Sequence, residues 1–274
     1  MFKRVSTCLV SVLLAFFSCL SGAALFAEQI PVRYTQGLLH GFLVLHNLDG
    51  VLLADGDLLQ VAHGDQVTSR LVLHFKDGST HEETVVFSQR HYFRLISDHL
   101  VQKGPSFPHP MDVSTDASSG QIAVHYTDDD GKEKTASDHP KLSADLANGM
   151  ILTLLQNLRP DIPQTTVSMV AATPKPRIVK LAITPRGEES FSIARTKRTA
   201  THYVVKVDIG GVAGVVAPLL GKQPADTQVW IMGGEAPAFV KMEGQLYSGG
   251  PIWRIELASP EWNSSSATAS SEPK

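Results

Sequence analysis

Apolar and polar residues alternate with period two over much of the chain. Leu71, Leu73 and Phe75 fall on one side of such a segment, Val72 and His74 on the other. Ile122, Val124 and Tyr126 alternate with Ala123 and His125, and Val179, Leu181 and Ile183 with Lys180 and Ala182. Tyr203, Val205, Val207 and Ile209 oppose Val204, Lys206 and Asp208, and Trp253, Ile255 and Leu257 oppose Arg254 and Glu256. Successive side chains of a strand point to opposite faces, so these are half-buried strands. An apolar face backed by a more polar one is the mark of an antiparallel sheet wetted on one side. Further strands are expected near 82–87, 191, 227–232 and 238–246. The expected fold class is therefore mainly β, a curved antiparallel sheet or open half-barrel.

Turn residues separate these segments. Lys76-Asp77-Gly78-Ser79 and Asp128-Asp129-Asp130-Gly131-Lys132 each combine an Asp, which bonds its own nearby backbone, with a Gly free to take positive φ. The acidic triplet lacks the spacing and distal Glu of an EF-hand, so it reads as a turn.

One helix is expected, at about 143–158. Leu146, Met150, Leu154 and Leu158 recur every four residues with Ile151 and Leu155 beside them. Ser143 is placed to cap its start and Pro160 forbids its continuation. Gly149 weakens its interior by up to about 1 kcal/mol relative to Ala, which close packing against another backbone would justify. Such a helix either lies buried on the sheet or forms a lid over an apolar cavity.

The N-terminus reads as an address. Lys3 and Arg4 precede a mostly apolar run from Leu9 to Leu20, then small residues from Ser21 to Ala24 and Ala27. That order is a secretory signal peptide, here 1–27, with an uncleaved membrane anchor as the other reading. Cys19 is also placed for lipidation of the bacterial lipoprotein kind, although Phe16 stands where that pattern usually has Leu. The expected location is periplasmic or secreted, with membrane contact transient or through Cys19. Residues 28–262 would form a single β-rich domain, possible halves of which meet near the Pro-rich stretch 160–176. The Ser-rich tail 263–274 has no apolar anchor and is expected to be disordered.

Composition narrows the chemistry. The 274 residues carry 24 Lys and Arg against 27 Asp and Glu, a formal charge of −3, so no basic face argues for nucleic acid. Apolar residues are 43% and charged residues 19%, values of an ordinary globular chain. Cys8 and Cys19 are the two cysteines, so a disulfide framework, a cysteine zinc site and, after export, cysteine catalysis are not expected. Eleven histidines occur, ten of them before Met150, yet no HExxH or closely spaced His and carboxylate ligand set accompanies them. His40 and His46 would share a strand face about 20 Å apart, too far for one metal. No metal and no cofactor are expected. Neither a G-x-S-x-G elbow nor a P-loop is present. Arg195-Thr196-Lys197-Arg198 reads as a solvated turn between strands.

The run from Ile209 to Lys222 is apolar and Gly-rich. A buried crossover, a cavity rim and a lipid-facing loop all fit it. The stretch from Tyr203 to Leu257, with Gly221-Lys222-Gln223-Pro224 after that run and Trp253-Arg254-Ile255-Glu256-Leu257 at its end, resembles exported bacterial proteins of the DUF3108-like type. Asp145-Leu146-Ala147-Asn148-Gly149-Met150 adds to the likeness. The resemblance implies a curved, mainly antiparallel sheet, distantly similar to periplasmic lipoprotein carriers, and no activity.

These features point to an exported envelope protein, not an enzyme, holding a lipid or other apolar small molecule in a β-sheet groove. Met150, Leu154, Val212, Val215, Leu219, Trp230 and Trp253 are the expected ligand-binding residues; catalytic residues cannot be named. The rival readings are an interaction module for another envelope protein and a hydrolase using His and Asp.

Overall fold

The computed structural model describes residues 29–128, 130–193, 196–208 and 224–258. The expected signal peptide with Cys19, the residues Val212, Val215 and Leu219, and the tail 263–274 lie outside the described residues.

Period-two patterning becomes one large sheet. Its strands are β1 (Leu39–Asn47), β2 (Leu52–His63), β3 (Gln66–Phe75), β4 (Thr80–Gln89), β5 (Phe93–Lys103), β6 (Met111–Asp116), β7 (Gln121–Thr127) and β8 (Glu133–Asp138). After a crossover carrying the helix α1 (Ile151–Asn157) come β9 (Thr165–Ala171), β10 (Arg177–Ile193), β11 (Thr196–Asp208), β12 (Thr227–Met232), β13 (Ala238–Gln245) and β14 (Ile252–Leu257). Each strand pairs antiparallel with its sequence neighbour, and β14 pairs with β1, so the order runs β8 to β1 and then β14 to β9. The two ends, β8 and β9, do not meet: the sheet is open and not a closed barrel. Both sides of 160–176 belong to this one sheet. No described helix is long and apolar enough to cross a membrane.

The expected turns form as their residues dictate. Gly78 and Gly131 adopt φ of +86° and +76°. Asp77 accepts the Ser79 N–H at 2.9 Å, and Asp128 accepts the N–H groups of Asp130 and Lys132. The expected separate segments near 179–183 and 191 are instead one strand, β10. Pro185 cannot donate to a ladder, and the pairing with β11 slips between Pro185 and Glu188, so the strand continues through a bulge. Lys197 and Arg198, expected in a turn, are exposed residues of β11 paired with Ser192 and Phe191.

The helix is present but shorter than 143–158. Gly149 takes φ of +61°, a left-handed conformation that interrupts helical hydrogen bonding. Ahead of it, residues 145–148 lie along β9 as a short parallel partner. Ala147 N–H donates to Ser168 O at 2.8 Å, Ser168 N–H donates to Asp145 O at 3.1 Å, and Asn148 exchanges two bonds with the Val170 backbone. Backbone groups that a longer helix would have satisfied internally are thus satisfied by the sheet. The helix then stops at Asn157, three residues before Pro160, with Leu158 extended at ψ 149°.

This crossover is a plug. Leu146, Ala147, Met150, Leu154 and Leu155 are all buried in the main core. At Gly149 a Cβ would sit 2.7 Å from Val85 Cβ, so only glycine lets the backbone approach β4 this closely. Asn157 fixes the far end: its Oδ1 accepts from the N–H groups of Arg33 and Tyr34, and its Nδ2 donates to Thr153 O. β9, covered by sheet and plug, is buried from Thr165 to Ser168 without a break.

Candidate functional site

Four of the expected ligand residues are described, and the fold separates them. Met150 and Leu154 belong to the plug at 1% and 2% exposure, so they pack in the core. Trp253 joins Phe75, Phe107 and Tyr247 in an aromatic cluster with centroids 5.3 to 6.1 Å from its ring. Trp230 points the other way: Val229 and Ile231 enter the core, so the residue between them faces outward. Its ring stacks on His202 at 4.5 Å, its Nε1–H donates to Glu189, and Lys241 Nζ lies 3.8 Å from its centroid. That outer ladder satisfies itself.

The concave face holds a different constellation. Cross-strand register sets three parallel rows over β2 to β6. One row contains Leu73, His81 and Gln102, and another contains Gln60, Ser69, Val85, Asp98 and Thr115. All of these are buried. The middle row runs Leu58, Leu71, Glu83, Leu100 and Val113. Here Leu58, Leu71, Glu83 and Leu100 keep part of their surface accessible. The reason lies in what covers each row. Gly149 of the plug seats on Val85 and Asp98. At the other end Phe107 stacks over His81 at 6.3 Å, and Gln102 donates to Leu246 O at 2.7 Å. Plug and aromatic cluster cover the flanking rows, while Leu58, Leu71 and Leu100 of the middle row pack against the core and stay half-buried.

Two carboxyl groups lie on this face, Glu83 in the middle row and Asp98 in the row beneath Gly149. Burial pushes Glu83 up to about 7. Burial, and then repulsion from Glu83, hold Asp98 well above the usual carboxylate range. His81 is pushed down to about 4 by burial. Gln102 Nε2 donates to His81 Nδ1 at 3.0 Å, which assigns the ring proton of the neutral imidazole to Nε2. Asp98 Oδ1 and the Thr115 hydroxyl on the paired strand are buried with no hydrogen-bond partner. Buried, unpartnered polar atoms beside a perturbed pair are a recognised sign of a functional site.

Other groupings are structural in form. Ser168 Oγ donates to Asp145 and accepts from Lys180 Nζ at 2.7 Å, but at 0% exposure it is closed to any substrate and ties plug to sheet. Histidines meet carboxylates in separate outward pairs, His40 with Asp57 at 2.8 Å and His99 with Asp112 at 2.9 Å. Among the described residues, no three His, Cys, Asp or Glu side chains gather as a metal site.

Reading the sequence for motifs misses Glu83 and Asp98. The signal for Glu83 lies in its spacing: it shares a period-two face with His81, Val85 and Phe87. A charged residue on an otherwise apolar strand face is the informative exception.

No family model matches the chain, and no curated protein matches it significantly. Among solved structures, it is similar to a beta-barrel-like protein of domain of unknown function DUF1849 from Brucella abortus. The two share 10% identity over 85% of this chain and 97% of that one, with a TM-score of 0.43. A likeness of that size assigns neither fold nor function. The DUF3108-like resemblance stays an expectation resting on the residues that carry it.

Proposed function

We propose that this is a non-enzymatic, exported envelope protein that holds an apolar chain, such as the alkyl part of a lipid, over the middle row of the concave face. One observation carries the reading: Leu58, Leu71 and Leu100 keep accessible surface between two rows that are buried. Apolar surface left accessible gains about 25 cal/mol per Å² when a ligand covers it. The position differs from a pocket beneath residues 143–158, which the plug fills.

The sheet edges favour this reading over an edge-docking module. β9 is already partnered by residues 145–148. β8 carries exposed Glu133, Lys134 and Asp138, charges that discourage addition of a strand.

Covering the middle row tests the reading. An apolar fluorescent probe such as N-phenyl-1-naphthylamine is expected to bind the wild-type chain saturably. Leu71→Trp is expected to weaken it at least tenfold while thermal melting shows a folded protein. Absence of saturable binding to the wild type would refute the apolar site, as would full binding to a folded Leu71→Trp chain.

A further inference from the structure

We propose that Trp262, in the tail beyond the described residues, docks on the outer face of β1 and covers the apolar patch of Leu38, Phe42 and Leu59.

The patch follows from strand parity. Leu43 and Leu45 are buried in the core, so His40 and Phe42 point to the outer face. His40 pairs with Leu59 of β2, which shares that face, and its ring lies 4.7 Å from that of Phe42. Leu38 stands one residue ahead of β1. Phe42 is 59% exposed, Leu59 40% and Leu38 80%. Single exposed apolar side chains are ordinary on a protein surface, whereas adjoining ones mark a contact surface.

Register brings the tail to it. β14 pairs with β1 from Asn47 and Trp253 to Leu43 and Leu257, and the Ala258 N–H then donates to Phe42 O at 2.8 Å. Among the described residues, no strand flanks β1 on this side ahead of Phe42. Carried four residues further, the same register sets position 260 against His40 and position 262 against Leu38. Four extended residues cover about 13 Å on either strand, so the tail needs no slack to reach the patch.

The tail residues suit that course. A ladder continued at position 260 would require an N–H aimed at β1, as Ala258 supplies two residues earlier, and Pro260 has none. Attachment past Leu257 therefore falls to side chains. Trp262 is the one large apolar residue between 259 and 274, and an indole offers broad apolar area with a polar N–H for the wet edge. Tethered a few residues from Phe42, it meets the patch at an effective concentration on the order of millimolar, which favours it over a second copy or a foreign chain.

Acrylamide quenching of the full chain tests the proposal. Trp230, Trp253 and Trp262 are the three tryptophans, so the emission lost in Trp262→Phe isolates Trp262, and each further variant is read against its own Trp262→Phe partner. The expected quenching constant of Trp262 is at least about threefold below that of N-acetyltryptophanamide, rising to the free value in Phe42→Ser and in Leu38→Ser. Both substitutions fall on exposed positions, and thermal melting checks that the chains fold; if one fails, the other decides. Quenching of Trp262 at the free value in the wild type would overturn the proposal and leave the patch to another partner. Undiminished protection in the folded variants would overturn it by placing the indole elsewhere. Protection that fades on dilution would overturn it in favour of a second copy.

Discussion

Replacing Glu83 with Gln is expected to make the protein more stable than the wild type as pH rises, the gap widening by on the order of 2–3 kcal/mol between about pH 5 and pH 8. Burial raises this carboxyl from an ordinary 4.5 to about 7 in the folded chain. Between those two values the folded state keeps a proton that the unfolded state has released. Stability from this group is therefore complete below the unfolded value and is lost as pH climbs through the folded one. Glutamine cannot ionise and keeps a similar shape, so the variant escapes the loss. His81 works in the opposite sense: its folded value of about 4 means stability gained as pH rises from there toward 6.5. That contribution is common to both proteins and cancels in their difference. Denaturant melts of the two proteins at several pH values would show it. Parallel curves would mean that Glu83 is solvated like a surface carboxylate in the folded chain.

Gly149→Ala is expected to destabilise by about 2–5 kcal/mol, lowering Tm by on the order of 10 °C. Two effects add. At φ of +61° an L side chain costs about 1–2 kcal/mol. The new methyl would also lie 2.7 Å from Val85 Cβ, on a strand that the pairing with β3 and β5 holds in place. Relief requires the plug to lift, which uncovers Met150 and Leu154. Gly78→Ala separates the two effects, since Gly78 has φ of +86° with open space where the methyl would go. It should lose only the conformational share, about 1 kcal/mol. A Gly149→Ala chain no less stable than Gly78→Ala would show that the plug is not seated on β4.

Much of the sheet is legible in the sequence because period two and Asp-Gly turns are local signals. Strand 71–75, its hairpin to β4 and the alternation at 122–126 follow from neighbouring residues alone. The helix shows where local reasoning stops. Leu146, Met150, Leu154 and Leu158 keep a helical spacing, but a buried turn satisfies that spacing equally well. Only the partner strand β9, distant in sequence until the chain folds back, takes the hydrogen bonds of residues 145–148 away from the helix.

The site was hidden for a similar reason. Glu82 and Glu83 are adjacent and chemically alike, yet one reaches outward to Arg70 at 2.7 Å and the other faces the interior. Val85 and Phe87 mark which of them points inward. Val229-Trp230-Ile231 carries no alternation at all, so the outward turn of Trp230 could be learned only from the pairing of β11, β12 and β13.

Diffraction from crystals grown with 1-bromododecane would locate an apolar ligand directly. Anomalous density for bromine against Leu58, Leu71 or Leu100 is the expected result. No bromine beside those three leucines in crystals soaked to saturation would contradict it.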